Sequence, residues 1–149
     1  MLFGTAIAAY GLDRISKLWV ENALVHRPPI HIVPGILDIR FTTNSGGAFS
    51  IGQSAPWLFA GATIAVSLTI VWAAFRPMSA RNAVALGLVL GGALGNLTDR
   101  IVRGPGLSGR VVDFIDLHVW PVFNLADSAI VIGALLLAVS SIGQRARDG

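Results

Sequence analysis

The sequence predicts an all-α membrane protein with four transmembrane helices and a small β element outside the bilayer. Of the 149 residues, 54% are hydrophobic and 13% are charged, whereas about 25% of the residues in a soluble domain are charged. Four mostly apolar runs approach the ~20 residues that a helix needs to span a bilayer. The chain between the first two runs alternates apolar and polar side chains, which is typical of a strand.

The helices are predicted from the lengths and the flanks of these runs. They cover approximately residues 2–24, 55–75, 83–102 and 119–142. Near the ends of the runs lie the tryptophans Trp19, Trp57, Trp72 and Trp120, as in an aromatic belt. Four spans place both termini on one side. The number of arginines does not decide the orientation, but their density in the short second loop and the tail favours the cytoplasm for both.

The segment between the first two helices, at about residues 30–53, predicts strands followed by a glycine-rich turn. Apolar and polar residues alternate through Ile39 and Phe41, and NSGGAFS follows from Asn44. Open sheet edges are not stable in lipid, so we expect this element outside the bilayer. The glycines suit a hairpin turn. Asn44 either belongs to that turn or binds an extended peptide.

Two polar pairs with i,i+4 spacing interrupt the apolar helices. Asp13 and Lys17 share a face of the first helix, and we expect a structural ion pair that allows this helix to insert. Asn96 and Arg100 share a face at the end of the third helix. Position alone leaves Arg100 either as an anchor that reaches the membrane surface or as a fixed positive charge beside a site.

Glycines recur every four residues along the third helix, at positions 87, 91 and 95. Stripes of small residues let two helices approach closely in a membrane. We therefore expect this face to pack against another helix rather than to bind a ligand.

Two carboxylates, Asp113 and Asp127, flank the predicted start of the fourth helix at Trp120-Pro121. Asp113 then lies on the incoming segment and Asp127 about two turns into the helix. A charge at the centre of a membrane helix costs at least roughly 2.5 kcal/mol, so carboxylates here indicate a function. Two adjacent carboxylates share a proton. One can then activate water while the other protonates a carbonyl oxygen, as in aspartic proteases.

The residues alone leave a second class of function open. A membrane Asp also suits a proton pathway, so a small proton-coupled transporter or a membrane scaffold fits the pattern as well as a protease does. His118 lies near Asp113 and Asp116, but the other histidines are distant and no HExxH motif exists, so we expect no metal. We expect Asp116 to be solvated.

Composition limits the remaining classes. The formal net charge of +3 is too small to indicate nucleic acid binding. The absence of cysteine excludes disulfides and thiol chemistry. We expect a monomer that works in the lipid bilayer without a cofactor.

Four motifs together resemble the lipoprotein signal peptidase (signal peptidase II) family. They are DRISK, NSGGAFS, GGALGNLTDRI and GRVVDFIDLHVWPVFNLADSAI, and they span about residues 10–135. The resemblance implies an aspartyl endopeptidase of the bacterial inner membrane, with an extracytoplasmic β-cradle, an active site near that face and cytoplasmic termini. Its substrate would be a prolipoprotein that carries diacylglycerol on a cysteine, and the cut would fall just before that cysteine.

The resemblance also implies roles for single residues. The VVDF motif makes Asp113 one catalytic aspartate, and FNLAD makes Asp127 the other. Positions that bind the substrate in the family are matched by Asn44, Asn96, Arg100 and Asn124. Asp13 and Lys17 match a pair in the family's first helix, which agrees with a structural ion pair.

The sequence departs from the family pattern at two places. Gly47-Ala48 stands where the family commonly has Ala-Ala before Phe-Ser. We expect this change to loosen the cradle without touching a catalytic group. The segment RGPGLSGR is a few residues longer than the usual link into VVDF, and we expect it to change how this loop covers the site.

Overall fold

The computed structural model describes residues 1–45 and 56–148. Within them the helices are α1 (Leu2–Leu24), α2 (Pro56–Ala73), α3 (Ala80–Val102) and α4 (Leu125–Asp148). The strands are β1 (Ile30–Val33), β2 (Leu37–Asn44) and β3 (Val111–Asp116). The helix α3 packs extensively against both α1 and α4, and α2 packs against it less extensively.

The glycine stripe of α3 lies against α1, as the sequence predicts. A Cβ atom added at Gly87 or Gly91 would come within 2.5 Å of the carbonyl oxygens of Leu2 and Ala6. The neighbouring Gly92 faces the backbone of Ala126 on α4 in the same way. The backbones of three helices therefore approach closely where side chains at these positions would separate them.

The sheet differs from the predicted cradle because it has a third strand from a distant segment. Its strands are antiparallel in the order β1-β2-β3, and β3 is formed by the residues that contain the VVDF motif. Residue pairing joins Thr42 to Asp113 and Asn44 to Val111. The VVDF segment forms a strand rather than the predicted connection, so the prediction of a sheet built only from residues 30–53 was incomplete. Residues 46–55, with the predicted glycine turn and Gly47-Ala48, lie outside the described residues.

The helix α4 begins at Leu125, six residues later than predicted. Phe123 extends the sheet instead, because its backbone exchanges hydrogen bonds of 2.8 and 3.1 Å with Ile115. Asn124 then caps the helix, since its side-chain oxygen accepts a hydrogen bond of 2.9 Å from the amide of Asp127. Asp127 consequently lies in the first turn of α4, and the prediction that it lies two turns into the helix was wrong.

A small apolar cluster fixes β3 against the helices. Phe114 is buried and packs with Val20 and Leu24 of α1. Neighbouring side chains on a strand point to opposite faces, so Asp113 faces away from this cluster. The packing of Phe114 thereby sets the direction of the Asp113 carboxylate.

Two helices in the described part of the chain are long and apolar enough to cross a membrane by themselves. They are Ala80–Val102 and the part of α4 at Leu125–Ile142, and Trp57–Ala73 is a shorter apolar helix. The loop between α3 and β3, which the sequence predicts to be longer than in the family, contains a 3₁₀ turn at Pro105–Leu107. Four transmembrane spans remain a prediction at this point.

Replacing Gly91 by alanine should destabilise the protein by roughly 1–3 kcal/mol, because the new methyl group would meet the backbone of Ala6 and force the helices apart. Thermal unfolding in detergent would measure the loss. The matched control is Gly11→Ala, where nothing lies within 4 Å of the added atom. That variant should be as stable as the wild type or slightly more stable. Equal unfolding temperatures for the two variants would contradict the packing.

Candidate active site

Asp113 lies on β3 in a polar pocket of the protein interior. Only 2% of its surface is exposed. Asn124 donates a hydrogen bond of 2.6 Å from its side-chain nitrogen to the Asp113 carboxylate. The same nitrogen lies 3.2 Å from the carbonyl oxygen of Val112. Asn124 therefore ties the start of α4 to both the backbone and a side chain of β3.

Asp127 lies in the first turn of α4 and is held from two directions. Asn96 of α3 donates a hydrogen bond of 2.8 Å to one carboxylate oxygen. The other carboxylate oxygen lies 3.4 Å from the backbone nitrogen of Asn124. Together with the cap from Asn124, this gives the reciprocal pattern of a capping box. Negative charge at a helix N-terminus is also favoured by the helix dipole.

The two carboxylates are connected through an amide bridge. The side-chain nitrogen of Asn124 is 3.2 Å from the side-chain oxygen of Asn96. Each asparagine thus holds one aspartate and contacts the other asparagine. The predicted residues Asp113, Asp127, Asn96 and Asn124, which lie up to 31 positions apart, are brought into one cluster.

The electrostatics of this cluster favour the protonated form of Asp113. Burial, and then the charge of Asp127, raise the pKa of Asp113 to about 7. Hydrogen bonds from Asn124 and Asn44 act in the opposite direction, and burial prevails. Asn44 reaches Asp113 from the end of β2, so the structure brings this predicted residue into the cluster as well. A carboxyl group with such a pKa can give or take a proton near neutral pH.

Lys17 extends the site into the helix bundle. Its side chain is fully buried, and its ammonium nitrogen lies 2.8 Å from Asp13 and 3.0 Å from Asp99. The same nitrogen donates a hydrogen bond of 3.0 Å to the side-chain oxygen of Asn96. The predicted pair of Asp13 and Lys17 is present. It also supports the cluster, because Lys17 orients the amide group that holds Asp127.

Asp13 and Gly95 connect this ion pair to α4. Asp13 accepts a hydrogen bond of 3.0 Å from the backbone amide of Ala126, in the first turn of α4. Gly95 lies directly against the Asp13 carboxylate, so any larger residue there would displace it. The third glycine of the stripe therefore makes room for a charged group rather than for a helix backbone.

Asp99 is a central residue that sequence analysis missed. It is fully buried, and it accepts a hydrogen bond of 3.2 Å from the backbone amide of Val112. It also pairs with Arg14 and with Arg103, and Arg103 pairs in turn with Glu21. The signal was available: Asp99 and Arg103 have i,i+4 spacing at the end of an apolar helix. The hydrogen bond between Val112 and Asp99 could not be predicted, because the sequence alone did not show that Val112 lies on a third strand.

Arg100 lies beside the cluster, and only 7% of its surface is exposed. It donates a hydrogen bond of 3.3 Å to the carbonyl oxygen of Asn96, and its Nε has no hydrogen-bond partner in the described part of the chain. With Asn96 it lines a groove of about 280 Å³ between α2, α3 and α4. This position favours a fixed charge beside a site over an anchor at the membrane surface.

A second groove of about 370 Å³ runs along α4 and is lined in part by Asp127. Its remaining lining residues are mostly apolar: Leu117, Trp120, Phe123, Ser128, Val131 and Ile132. The carboxylate of Asp127 is therefore accessible from an apolar channel. An apolar segment with a polar peptide group fits such a surface.

Asp116 and His118 take no part in the cluster. Asp116 pairs with Arg40 at 2.6 Å in a partly exposed position, with 14% of its side chain accessible. His118 contacts Asp38 at 2.9 Å, and so does His31 at 2.7 Å from the other side. Among the described residues, no group of three His, Cys, Asp or Glu side chains is arranged to hold a metal ion.

Comparison with known proteins identifies the family. The family model described as signal peptidase (SPase) II matches residues 5–143. A lipoprotein signal peptidase from Streptomyces griseus is 46% identical over 149 residues, which cover 99% of this chain and 76% of the relative. Another from Mycobacterium tuberculosis is 38% identical over 158 residues, covering 100% of this chain and 78% of the relative.

Two solved structures of bacterial membrane enzymes have the same fold. One has a TM-score of 0.86 and 26% identity, over 97% of this chain and 89% of the other. The second has a TM-score of 0.75 and 28% identity, over 91% and 88% of the two chains. With a family model that covers nearly the whole sequence, these similarities show that the chain belongs to the signal peptidase II family of aspartic-type peptidases.

Proposed function

We propose that this chain is a membrane aspartyl endopeptidase that removes the signal peptide from diacylglyceryl-modified prolipoproteins and cuts just before the lipidated cysteine. The observation that carries the proposal is the pair of Asp113 and Asp127, each held by an asparagine side chain. Nucleophilic catalysis by cysteine is impossible because the chain has none. Membership of the family supplies the substrate class.

The reaction follows from one proton shared by two carboxylates. The ionised carboxylate takes a proton from a water molecule, and the hydroxide formed adds to the scissile carbonyl carbon. The protonated carboxyl group gives its proton to the carbonyl oxygen. Collapse of the tetrahedral intermediate then breaks the carbon–nitrogen bond, and the departing amine takes up a proton from the dyad. Burial favours Asp113 as the resting holder of the shared proton, although the pair titrates as a unit.

The surrounding residues orient the substrate in this proposal. The groove lined by Asp127 and the groove lined by Asn96 and Arg100 take the apolar parts of the substrate, and each buried CH₂ group contributes roughly 0.8 kcal/mol. Arg100 offers its unpartnered Nε to a peptide or ester carbonyl in the groove that it lines. The sheet binds the extended peptide by backbone pairing.

The membrane arrangement is part of the same proposal. All four helices span the bacterial inner membrane, both termini are cytoplasmic, and the sheet lies on the extracytoplasmic side with the active site near that face. The buried partners of Lys17 allow α1 to insert despite its charges, because paired charges cost less than isolated ones. The enzyme acts as a monomer in this arrangement.

Replacing Asp113 or Asp127 by asparagine should abolish cleavage, because neither variant can share a proton between two carboxylates. Purified protein in detergent would be incubated with a diacylglyceryl-modified prolipoprotein, and the smaller product would be followed on a gel. EDTA should not inhibit the wild type. Retention of fold and of substrate binding by the variants would assign the loss to chemistry.

The matched control is Asp116→Asn, three residues further along the same strand. Asp116 pairs with Arg40 rather than with the cluster, so this variant should cleave at close to the wild-type rate. Cleavage by Asp113→Asn or Asp127→Asn at that rate would disprove the dyad. Absence of cleavage by a folded wild type would favour the transporter or scaffold.

The pH dependence of the protein's stability should reflect the raised pKa of Asp113. An aspartate in an unfolded chain has a pKa of about 3.9, whereas Asp113 in the folded protein has a pKa of about 7. The folded state therefore holds an extra proton between these values, and the wild type loses stability as pH rises through this window. Asp113→Asn should gain in unfolding temperature relative to the wild type from about pH 4 to about pH 7.

The control for this comparison is again Asp116→Asn. The backbone hydrogen bond from His118 lowers the pKa of Asp116, so its removal should give no relative gain over the same pH range. Unfolding temperatures measured at a series of pH values would separate the two cases. A difference between Asp113→Asn and the wild type that is independent of pH would refute the raised pKa.

A further inference from the structure

One end of the sheet carries exposed apolar side chains that the proposed active site does not use. All four residues of β1 are exposed, so its isoleucines and valine are uncovered. Ile32 is 53% exposed, and Ile36, in the turn after β1, is 60% exposed. An apolar edge strand in water promotes aggregation. We therefore expect another surface to cover these apolar side chains in the working protein.

The topology of the sheet brings a second apolar segment to the same end. Asp38, at the start of β2, pairs with Asp116 at the end of β3. His118 lies in the loop after β3 and contacts the Asp38 carboxylate at 2.9 Å. The β1–β2 turn and this loop therefore lie side by side. Their exposed apolar side chains form what we call the apolar tip: Ile32, Val33, Ile36, Val119 and Trp120.

The apolar tip is continuous with the outer face of α4. Trp120 lines the groove of about 370 Å³, which leads to Val131 and Ile132 on α4. Beyond them Leu135 is 61% exposed, within the stretch of α4 that is apolar enough to cross a membrane. Exposed apolar side chains thus run from this helix, past Asp127 and Ser128 in the groove, to the tip of the sheet.

We propose that the apolar tip inserts into the boundary between headgroups and acyl chains of the bilayer that α4 spans. The inference rests on the membrane arrangement proposed above and extends it to the sheet. We assign lipid as the partner of the apolar tip because the tip is continuous with the lipid-facing side of α4. Trp120 also has the amphipathic ring that is enriched at this depth.

Insertion of the apolar tip would fix the height of the active site. Strand β3 ends at Asp116, beside the tip, and carries Asp113 three residues before that end. Tip and carboxylate are joined by backbone pairing between β2 and β3, so they keep a constant separation. The tip thereby holds Asp113 at the depth where a lipid-anchored cysteine meets the membrane surface.

The absence of native cysteine allows a direct test. A single cysteine would be introduced at Ile36 in the tip, at Leu135 on α4, or at Ser108, an exposed residue of the loop before β3. Each would be labelled with an environment-sensitive fluorophore in full-length protein, in phosphatidylethanolamine–phosphatidylglycerol vesicles. The emission maximum and the quenching by lipids that carry a shallow nitroxide would be measured. Cleavage activity would verify the fold.

The expected result is a blue-shifted emission at both Ile36 and Leu135, with quenching at Ile36 by the shallow nitroxide lipid, and water-like emission at Ser108. Water-like emission at Ile36 while Leu135 reports lipid would overturn the inference and leave the membrane arrangement intact. A blue shift at Ile36 without quenching would indicate a protein partner and would also overturn it. Lipid contact at all three positions would refute an insertion confined to this end of the sheet. Water-like emission at Leu135 would refute the membrane arrangement itself.

Discussion

The buried ammonium group of Lys17 is the interaction on which the rest of this structure depends. It is fully enclosed between Asp13 of its own helix and Asp99 and Asn96 of α3. Removal of one partner from such a buried group costs about 3–5 kcal/mol, because a charge is left without compensation. These partners on α1 and α3 join two further elements: Asp13 binds the first turn of α4, and Asp99 binds the backbone of β3. The carboxylate on β3 and the one on α4 are thus positioned from a single charge.

Close helix packing and buried polar groups require each other here. Glycine at positions 87 and 91 brings α3 against α1, and only at that separation can Lys17 reach Asp99 across the interface. Gly95 leaves space for the Asp13 carboxylate that completes the arrangement. Polar groups in an apolar environment are stable only when each one has a partner. The glycine stripe therefore serves the site as well as the bundle.

The cluster of Asp113, Asp127, Asn96 and Asn124 is rigidly held, but its electrostatics are unfavourable. Asn96 and Asn124 fix both carboxylates, while burial and mutual repulsion oppose ionisation of Asp113. The folded state tolerates the buried carboxyl group of Asp113 because packing around Phe114 and the capping of α4 hold it in place. Ionisable groups with pKa values shifted in this way are typical of catalytic sites.

The sequence by itself determined the helix count, the approximate bounds of the helices and the close packing of the glycine stripe, and its motifs, through the family resemblance, singled out the residues of the cluster. These follow from composition, from i,i+4 spacing and from motifs, all of which are local along the chain. Only the tertiary structure decided that VVDF forms a third strand, that α4 begins at Leu125 and that Asp99 links β3 to Lys17. These features depend on pairing between segments far apart in sequence: β2 gives VVDF its partner, and Ile115 holds Phe123 out of the helix. Such pairing leaves no periodic signal in either segment alone.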